Sequence, residues 1–274
     1  MNELREASPT ARLSIIDRNL VAQAPEEARQ RIVSEFGAML LVDKPYAETS
    51  FYVVSQIRKA ISRSTGIKWI KTGHAGTLDP LATGLLIIAT RRQTKALQHF
   101  VGLDKTYFVK IRFGITTASF DLERPIEIVG GEDTLTEETV RTAIESLAGE
   151  HSQVPPNFSA IKQQGRPVYH KARAGIEFTL EPRTIFVREV EVVSIELPCA
   201  SFRIRCSKGT YVRSLVRDLG TALGTGAVLT DLCREAIGPW QLEDALTLDE
   251  VVTIISPLNG ISKNPESGFP LSRE

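Results

Sequence analysis

The chain has 274 residues, 42 % of them hydrophobic and 24 % charged, with 33 basic side chains balanced by 33 acidic ones. Such a chain is globular, has room for a sizeable core, and is not a simple polyanion sponge. Three cysteines, Cys199, Cys206 and Cys233, lack paired spacing, and no uncharged apolar run approaches the about 20 residues of a membrane span, so a disulfide framework, a zinc site and a membrane anchor are all disfavoured.

Residues 1–36 are polar with weak periodicity and read as an N-terminal extension or peripheral helix without an assigned function. Met1 to Glu6 has no basic segment leading into an apolar one, which fits a cytoplasmic protein. Met39 to Val42 reads as a strand ended by Asp43-Lys44-Pro45. Thr49 or Ser50 then caps a helix whose apolar positions Val53, Val54, Ile57, Ala60 and Ile61 recur at the helical period. That helix exposes Arg58 and Lys59.

Gly73-His74-Ala75-Gly76-Thr77-Leu78-Asp79-Pro80-Leu81-Ala82-Thr83-Gly84 carries three glycines and a proline, which disfavour both helix and strand. It reads as a shaped loop. Pro80 biases Asp79 toward an extended backbone, and Leu85 to Ala89 beyond it has the length and branching of a buried strand. A carboxylate on a stiff loop beside the core is placed for a nucleophilic role; the competing reading is a turn-stabilising Asp.

Thr94 to Phe100 reads as helical, and Tyr107 to Phe113 as an alternating strand with Tyr107 at its start. Thr134-Leu135-Thr136-Glu137 has capping-box spacing ahead of a helix with Val140, Ile144 and Leu147 inward. From Val154 through Phe158, Lys162, Arg166, Tyr169, His170, Lys171 and Arg173, basic and aromatic residues interleave, which suits phosphate contact and stacking on unpaired bases. Phe186 to Val193 and Ser201 to Cys206 read as an antiparallel pair. Tyr211-Val212-Arg213 leads into a helix with Leu215, Val216, Leu219 and Leu223 inward, Arg213 off that face, and Gly224 at its end. Thr247 and Glu250 cap a last helix through Ile255.

Charge is segregated along the chain. Residues 50–112 hold eleven basic against two acidic side chains, residues 160–217 eleven against five, and residues 118–150 two against nine. Two basic blocks separated by an acidic one can fold into a cationic groove that follows phosphates; ordinary solvated faces are the alternative.

Gly73-His74-Ala75-Gly76-Thr77-Leu78-Asp79-Pro80-Leu81-Ala82-Thr83-Gly84-Leu85-Leu86 resembles the signature of the TruB family of tRNA pseudouridine synthases. Val42-Asp43-Lys44-Pro45 with Thr49-Ser50 is similar to that family's opening, Asp104-Lys105-Thr106-Tyr107 to its second motif, and Cys206 to Leu215 to its third. The resemblance runs from about Phe36 to Val252. It implies a mixed α/β (α+β) catalytic domain over residues 37–255, built on a long, largely antiparallel central sheet flanked by helices, with a thumb-like RNA-binding insertion at about 154–177. Residues 256–274 read as a tail, too short for the PUA domain that many members carry.

What the resemblance implies for function is isomerisation of the T-loop uridine, position 55 of tRNA, with the base flipped out of its loop. Asp79 is then the catalytic residue and nucleophile, and Arg213 pairs with it. Tyr107 stacks on the extruded uracil and is a candidate for moving the C5 proton. Tyr211 lines the pocket, Leu232 packs on the base, His74 takes the space the base leaves, and Lys44 lies near the site. In the acidic segment that follows the second motif in the family only Asp121 matches, and no role is assigned to it. No cofactor or metal is expected, the partner is the T-arm of tRNA, and no obligatory protein partner is implied, which suits a monomer. A non-catalytic RNA-binding module and a different carboxylate enzyme such as a glycoside hydrolase stay open; the latter needs a second acid, and no compelling partner acid for Asp79 is visible.

Overall fold

The computed structural model describes residues 13–159, 162–163, 166–168, 176 and 178–256. In chain order the strands are β1 (Ile15–Ile16), β2 (Met39–Lys44), β3 (Thr72–His74), β4 (Thr83–Thr90), β5 (Lys105–Phe113), β6 (Ile115–Thr116), β7 (Glu127–Ile128), β8 (Gly149–Gln153), β9 (Lys162–Gln163), β10 (Arg166–Pro167), β11 (Arg183–Glu196), β12 (Cys199–Cys206), β13 (Ala227–Ile237), β14 (Trp240–Gln241) and β15 (Leu246–Thr247). The α-helices are α1 (Arg18–Gln23), α2 (Pro25–Val33), α3 (Ser50–Thr65), α4 (Leu97–Gly102), α5 (Glu137–Glu145), α6 (Val212–Ala222) and α7 (Leu248–Ile255). One long mixed sheet runs β1-β2-β4-β13-β5-β12-β11-β8. Pairings from β13 to β8 are all antiparallel, whereas β1 with β2 and β4 with β13 are parallel.

The two halves of the sheet are packed differently. Strands β2 and β4 are almost wholly apolar because both faces are covered: Leu40, Val42, Leu86 and Ile88 pack under α2, α3 and α7, while Met39, Leu41, Leu85 and Ile87 face Phe100 and Ile237. Strand β5 alternates instead. Tyr107, Val109, Ile111 and Phe113 point into a core shared with α5 and α6, and Lys110 and Arg112 point outward. The candidate loop, between β3 and β4, packs into both halves, Ala75 beside Phe100 and Ile237 and Leu78 and Ala82 in the core under α5 and α6.

Several expectations are modified. Residues 13–36, read as a peripheral extension, are part of the domain: β1 lies parallel to β2, and Ile16, Ala28 and Ile32 are fully buried. The cap of α5 is Thr136, closed by Thr139, rather than Thr134, which ends a short 3₁₀ turn. The 91–102 stretch is a 3₁₀ turn followed by a short helix. The central strand β13 had no counterpart in the sequence reading. Tyr169, His170, Lys171 and Arg173 of the thumb-like stretch, and the tail from residue 257, lie outside the described residues.

Candidate active site

The loop from Ala75 to Thr83 is pinned on three sides. Ser50, at the start of α3, donates to Leu78 O at 3.1 Å and accepts from Leu78 N at 2.9 Å. Lys44, at the end of β2, is fully buried and donates to the carbonyls of Pro45 (2.8 Å), Glu48 (2.5 Å) and Pro80 (3.1 Å). Arg234, on β13, donates to Leu85 O at 2.7 Å and Gly76 O at 3.1 Å. Gly84 closes the loop at φ +102°, and a Cβ there would meet the Arg234 carbonyl oxygen at 2.4 Å. Only glycine lets β13 come this close. Asp79 therefore sits on a backbone fixed from both flanks, with its side chain one-third exposed.

Arg213 meets that carboxylate as a fork. Its Nε donates to Asp79 Oδ2 at 2.8 Å and its Nη2 to Oδ1 at 3.0 Å, so both oxygens are held in one plane. The guanidinium is 4 % exposed, not the solvated helix charge that its position off the Leu215 face suggested. Arg213 lies three residues before Val216, and Gly220 lets α6 press onto the chain at Ala227; the buried arc of the helix is wide enough to include residue 213. The remaining donors reach Ser119 O (3.1 Å) and Phe158 O (2.9 Å), so the fork also ties the start of the thumb-like stretch to the site.

A second carboxylate lies behind the first. Asp121 Oδ2 is 3.5 Å from Arg213 Nε, is 4 % exposed as a residue, and its Oδ1 accepts from Ser119 Oγ (2.5 Å) and Glu123 N (3.0 Å). Sequence reasoning matched this Asp to an acidic segment and gave it no role. Its partner is 92 residues away, and nothing local signals the pairing.

Arg234 was also missed. It lies opposite Tyr107 in the β13–β5 register, close enough for its charge to act on the Tyr107 phenol. Burial raises the Tyr107 pKa, with Arg234 opposing. Burial, assisted by the same arginine, pulls Lys44 and Lys105 down to about 8 each. Asp79 acts the other way on Lys44, favouring its charged form. His74, at the end of β3, has its pKa lowered by burial and then by Arg234, and its Nδ1 has no hydrogen-bond partner among the described residues.

Asp79, Tyr107, Tyr211, Arg213 and Leu232 line one cavity of about 230 Å³, together with Lys105, Lys208 and Arg234. Gln153 fixes Tyr211 by bonding both its N–H (2.8 Å) and its carbonyl (3.0 Å), and Arg183 lies over the Tyr211 ring at 5.0 Å. His74 and Lys44 do not line this cavity: Lys44 stands under the loop as a brace, and His74 stands at the loop's start. No cluster of His, Cys, Asp or Glu suited to a metal ion occurs among the described residues. No described helix is long and apolar enough to cross a membrane. An oriented carboxylate, an invariably charged guanidinium, two tyrosines and a leucine in one cleft suit attack on an electrophilic carbon beside a flat ring.

The model of the TruB family pseudouridylate synthase N-terminal domain matches residues 62–212. This chain is 45 % identical over 213 residues to tRNA pseudouridine synthase B of Phocaeicola vulgatus, covering 78 % of this chain and 91 % of that protein. The chain belongs to the TruB family. Its similarity to tRNA pseudouridine synthase B of Chlorobaculum tepidum is 44 % identity over 232 residues, 84 % of this chain and 96 % of that one. Among solved structures, a chain of the Cbf5-Nop10-Gar1 complex superposes with a TM-score of 0.61 at 29 % identity. That match covers 84 % of this TruB-family chain and 57 % of the other. An H/ACA RNP bound to a substrate RNA containing 2'-deoxyuridine gives a TM-score of 0.58 at 27 % identity, covering 84 % of this chain and 56 % of that one.

Proposed function

We propose that this TruB-family chain converts the T-loop uridine at position 55 of tRNA to pseudouridine, with Asp79 as nucleophile. The observation that carries the reading is the bidentate Arg213–Asp79 pair facing a cavity walled by Tyr107, Tyr211 and Leu232. The reaction breaks the bond from uracil N1 to C1′, turns the base, and joins C5 to C1′; the C5 proton leaves and N1 gains one. Redox state is unchanged and no group donor is consumed, so no cofactor is needed. The fork on Asp79 aims its oxygens at the reacting carbon, C1′ or C6, and covalent attachment divides one hard step into two. Asp121 shares the Arg213 guanidinium with Asp79 and accepts from Ser119 Oγ and Glu123 N; we assign it to steadying that guanidinium.

The target base must leave its stack, at a cost of a few kcal/mol. Tyr107 and Leu232 hold it once flipped, Tyr211 closes the wall, and Tyr107 is the group we assign to movement of the C5 proton. His74 is assigned to the space the base vacates in the RNA loop, and Lys44 to bracing the nucleophile through Pro80. The protein works as a monomer in the cytoplasm. The test is release of tritium from tRNA labelled at uracil C5. Stoichiometric release that disappears when uridine 55 is replaced by cytidine is expected; tRNA binding with no release would leave an RNA-binding module in place of an enzyme.

A further inference from the structure

A second basic surface lies far from the cavity. Arg58, Lys59, Ser62, Arg63, Lys68 and Trp69 border an open cleft of about 540 Å³ at the C-terminal end of α3. Trp69 is 91 % exposed. Helix α3 starts at the candidate loop, where Ser50 grips Leu78, and its 16 residues carry it roughly 24 Å at the usual rise to this cleft.

Two features separate this cleft from ordinary solvated charge. On the open face of the sheet most cations are spent on neighbours, Arg203 on Glu235 at 3.0 Å, Arg188 on Asp104 at 3.3 Å and Lys110 on Asp231 at 3.8 Å, with Arg112 an exposed exception. The side chains of Arg58, Lys59, Arg63 and Lys68 form no ion pair or hydrogen bond among the described residues, and no acid lines the cleft. Arg63, in the last turn, is accounted for by the helix dipole; the other three are not. The second feature is the ring. A large exposed aromatic in a cleft otherwise lined by unpaired cations and a serine suits backbone phosphates plus a stacked unpaired base rather than the apolar centre of a protein interface.

We propose that this cleft is a second RNA-docking surface, which holds the phosphates of tRNA beyond the T-arm while Trp69 stacks on an unpaired base. The proposal rests on the tRNA reading above and adds where the rest of the substrate is held.

The chain has two tryptophans, and the other, Trp240, is half-buried against Phe100. Trp69 emission therefore reports on the cleft directly. Titration of the full chain with whole tRNA should quench emission, Trp69→Phe should lose that quenching, and an isolated T-arm hairpin should leave emission unchanged. Lys59→Ala/Lys68→Ala should raise KM for whole tRNA about tenfold, leave kcat and hairpin turnover unchanged, and reduce the slope of log affinity against log salt by about 2. Unquenched Trp69 with tRNA that is nonetheless turned over would overturn the docking surface and leave the activity standing. Equal quenching by the hairpin would overturn its assignment to RNA beyond the T-arm. Absence of both tRNA binding and turnover would remove the activity and the surface together.

Discussion

Arg213 and Arg234 are both buried beside one cavity, yet Arg213 faces two carboxylates while Arg234 faces two carbonyl oxygens and a phenol. A buried cation without a carboxylate keeps its full charge, and carbonyl dipoles offset only part of the cost of removing it from water. The Arg213 charge is therefore used locally, on Asp79 and Asp121. The Arg234 charge is felt by its neighbours: it adds to burial in lowering the pKa of Lys44, His74 and Lys105, and it opposes burial at Tyr107, whose pKa is raised. One side of the cavity is built to orient a carboxylate; the other holds the loop and disfavours the charged form of the basic groups beside it.

The largest effect is expected on the first side. Asp79→Asn preserves shape and removes the charge that the fork addresses, so pseudouridine formation should fall by roughly 10⁴-fold or more, in the range seen when a nucleophile is deleted. Binding of tRNA should stay within a few-fold, as read by filter retention. Turnover near the wild-type rate would place the reaction elsewhere. Arg213→Lys keeps a charge but not a planar fork, and it leaves some of Asp79, Asp121, Ser119 O and Phe158 O unmatched. Activity should drop on the order of 10²-fold and stability by about 2 kcal/mol, measured by single-turnover kinetics and denaturant melts.

Arg234→Met should behave differently. It strips two carbonyls of their donor, at about 1–3 kcal/mol each, but also removes an uncompensated buried charge, so net stability should change by less than about 2 kcal/mol. Turnover should fall by about tenfold as the Gly76 side of the loop loosens. The distinguishing readout is His74, whose pKa should rise toward its ordinary value once the arginine is gone, followed by NMR titration. An unmoved His74 titration would make burial alone responsible and dissolve the contrast between the two arginines.

These two residues also mark where sequence was informative. The β2 and β4 runs, the Thr49 cap of α3 and the Thr247–Glu250 box of α7 are local chemistry, and each is legible without knowing the fold. The loop holding Asp79 is likewise announced by its glycines and proline. Strand β13 is hidden because register shifts between Leu229 and Asp231 and between Arg234 and Ala236 break the period of two, and its outward residues pair with β5 and β12. Residues 13–36 present few inward side chains, too sparse to show a period, and their burial comes from β2, α3 and α7, the last of which arrives more than 200 residues later. Asp121 and Arg234 acquire meaning only from partners that the sheet topology brings together.

The smallest expected effect follows the lysines into their pH dependence. Lys44 and Lys105 titrate near 8 in the folded chain against 10.5 unfolded, so between those values the unfolded chain binds more protons and stability rises with pH. Cys206 works in the opposite sense: burial pushes its thiol up to about 12, so the unfolded thiol ionises first and stability falls as pH climbs from 9 toward 12. Cys233, whose thiol burial also raises, adds to the second trend, and the two trends overlap increasingly as pH approaches and passes 9. Denaturant melts should therefore show a gain of about 1–2 kcal/mol between pH 8 and 9, where the two lysines outweigh the thiols of Cys206 and Cys233, and a flattening beyond it. Lys105→Met should remove about half of that gain. Arg234→Met should also shrink it, because the same unpaired charge helps to hold both lysines down; an identical rise in that variant would show that burial sets the lysines without help from Arg234.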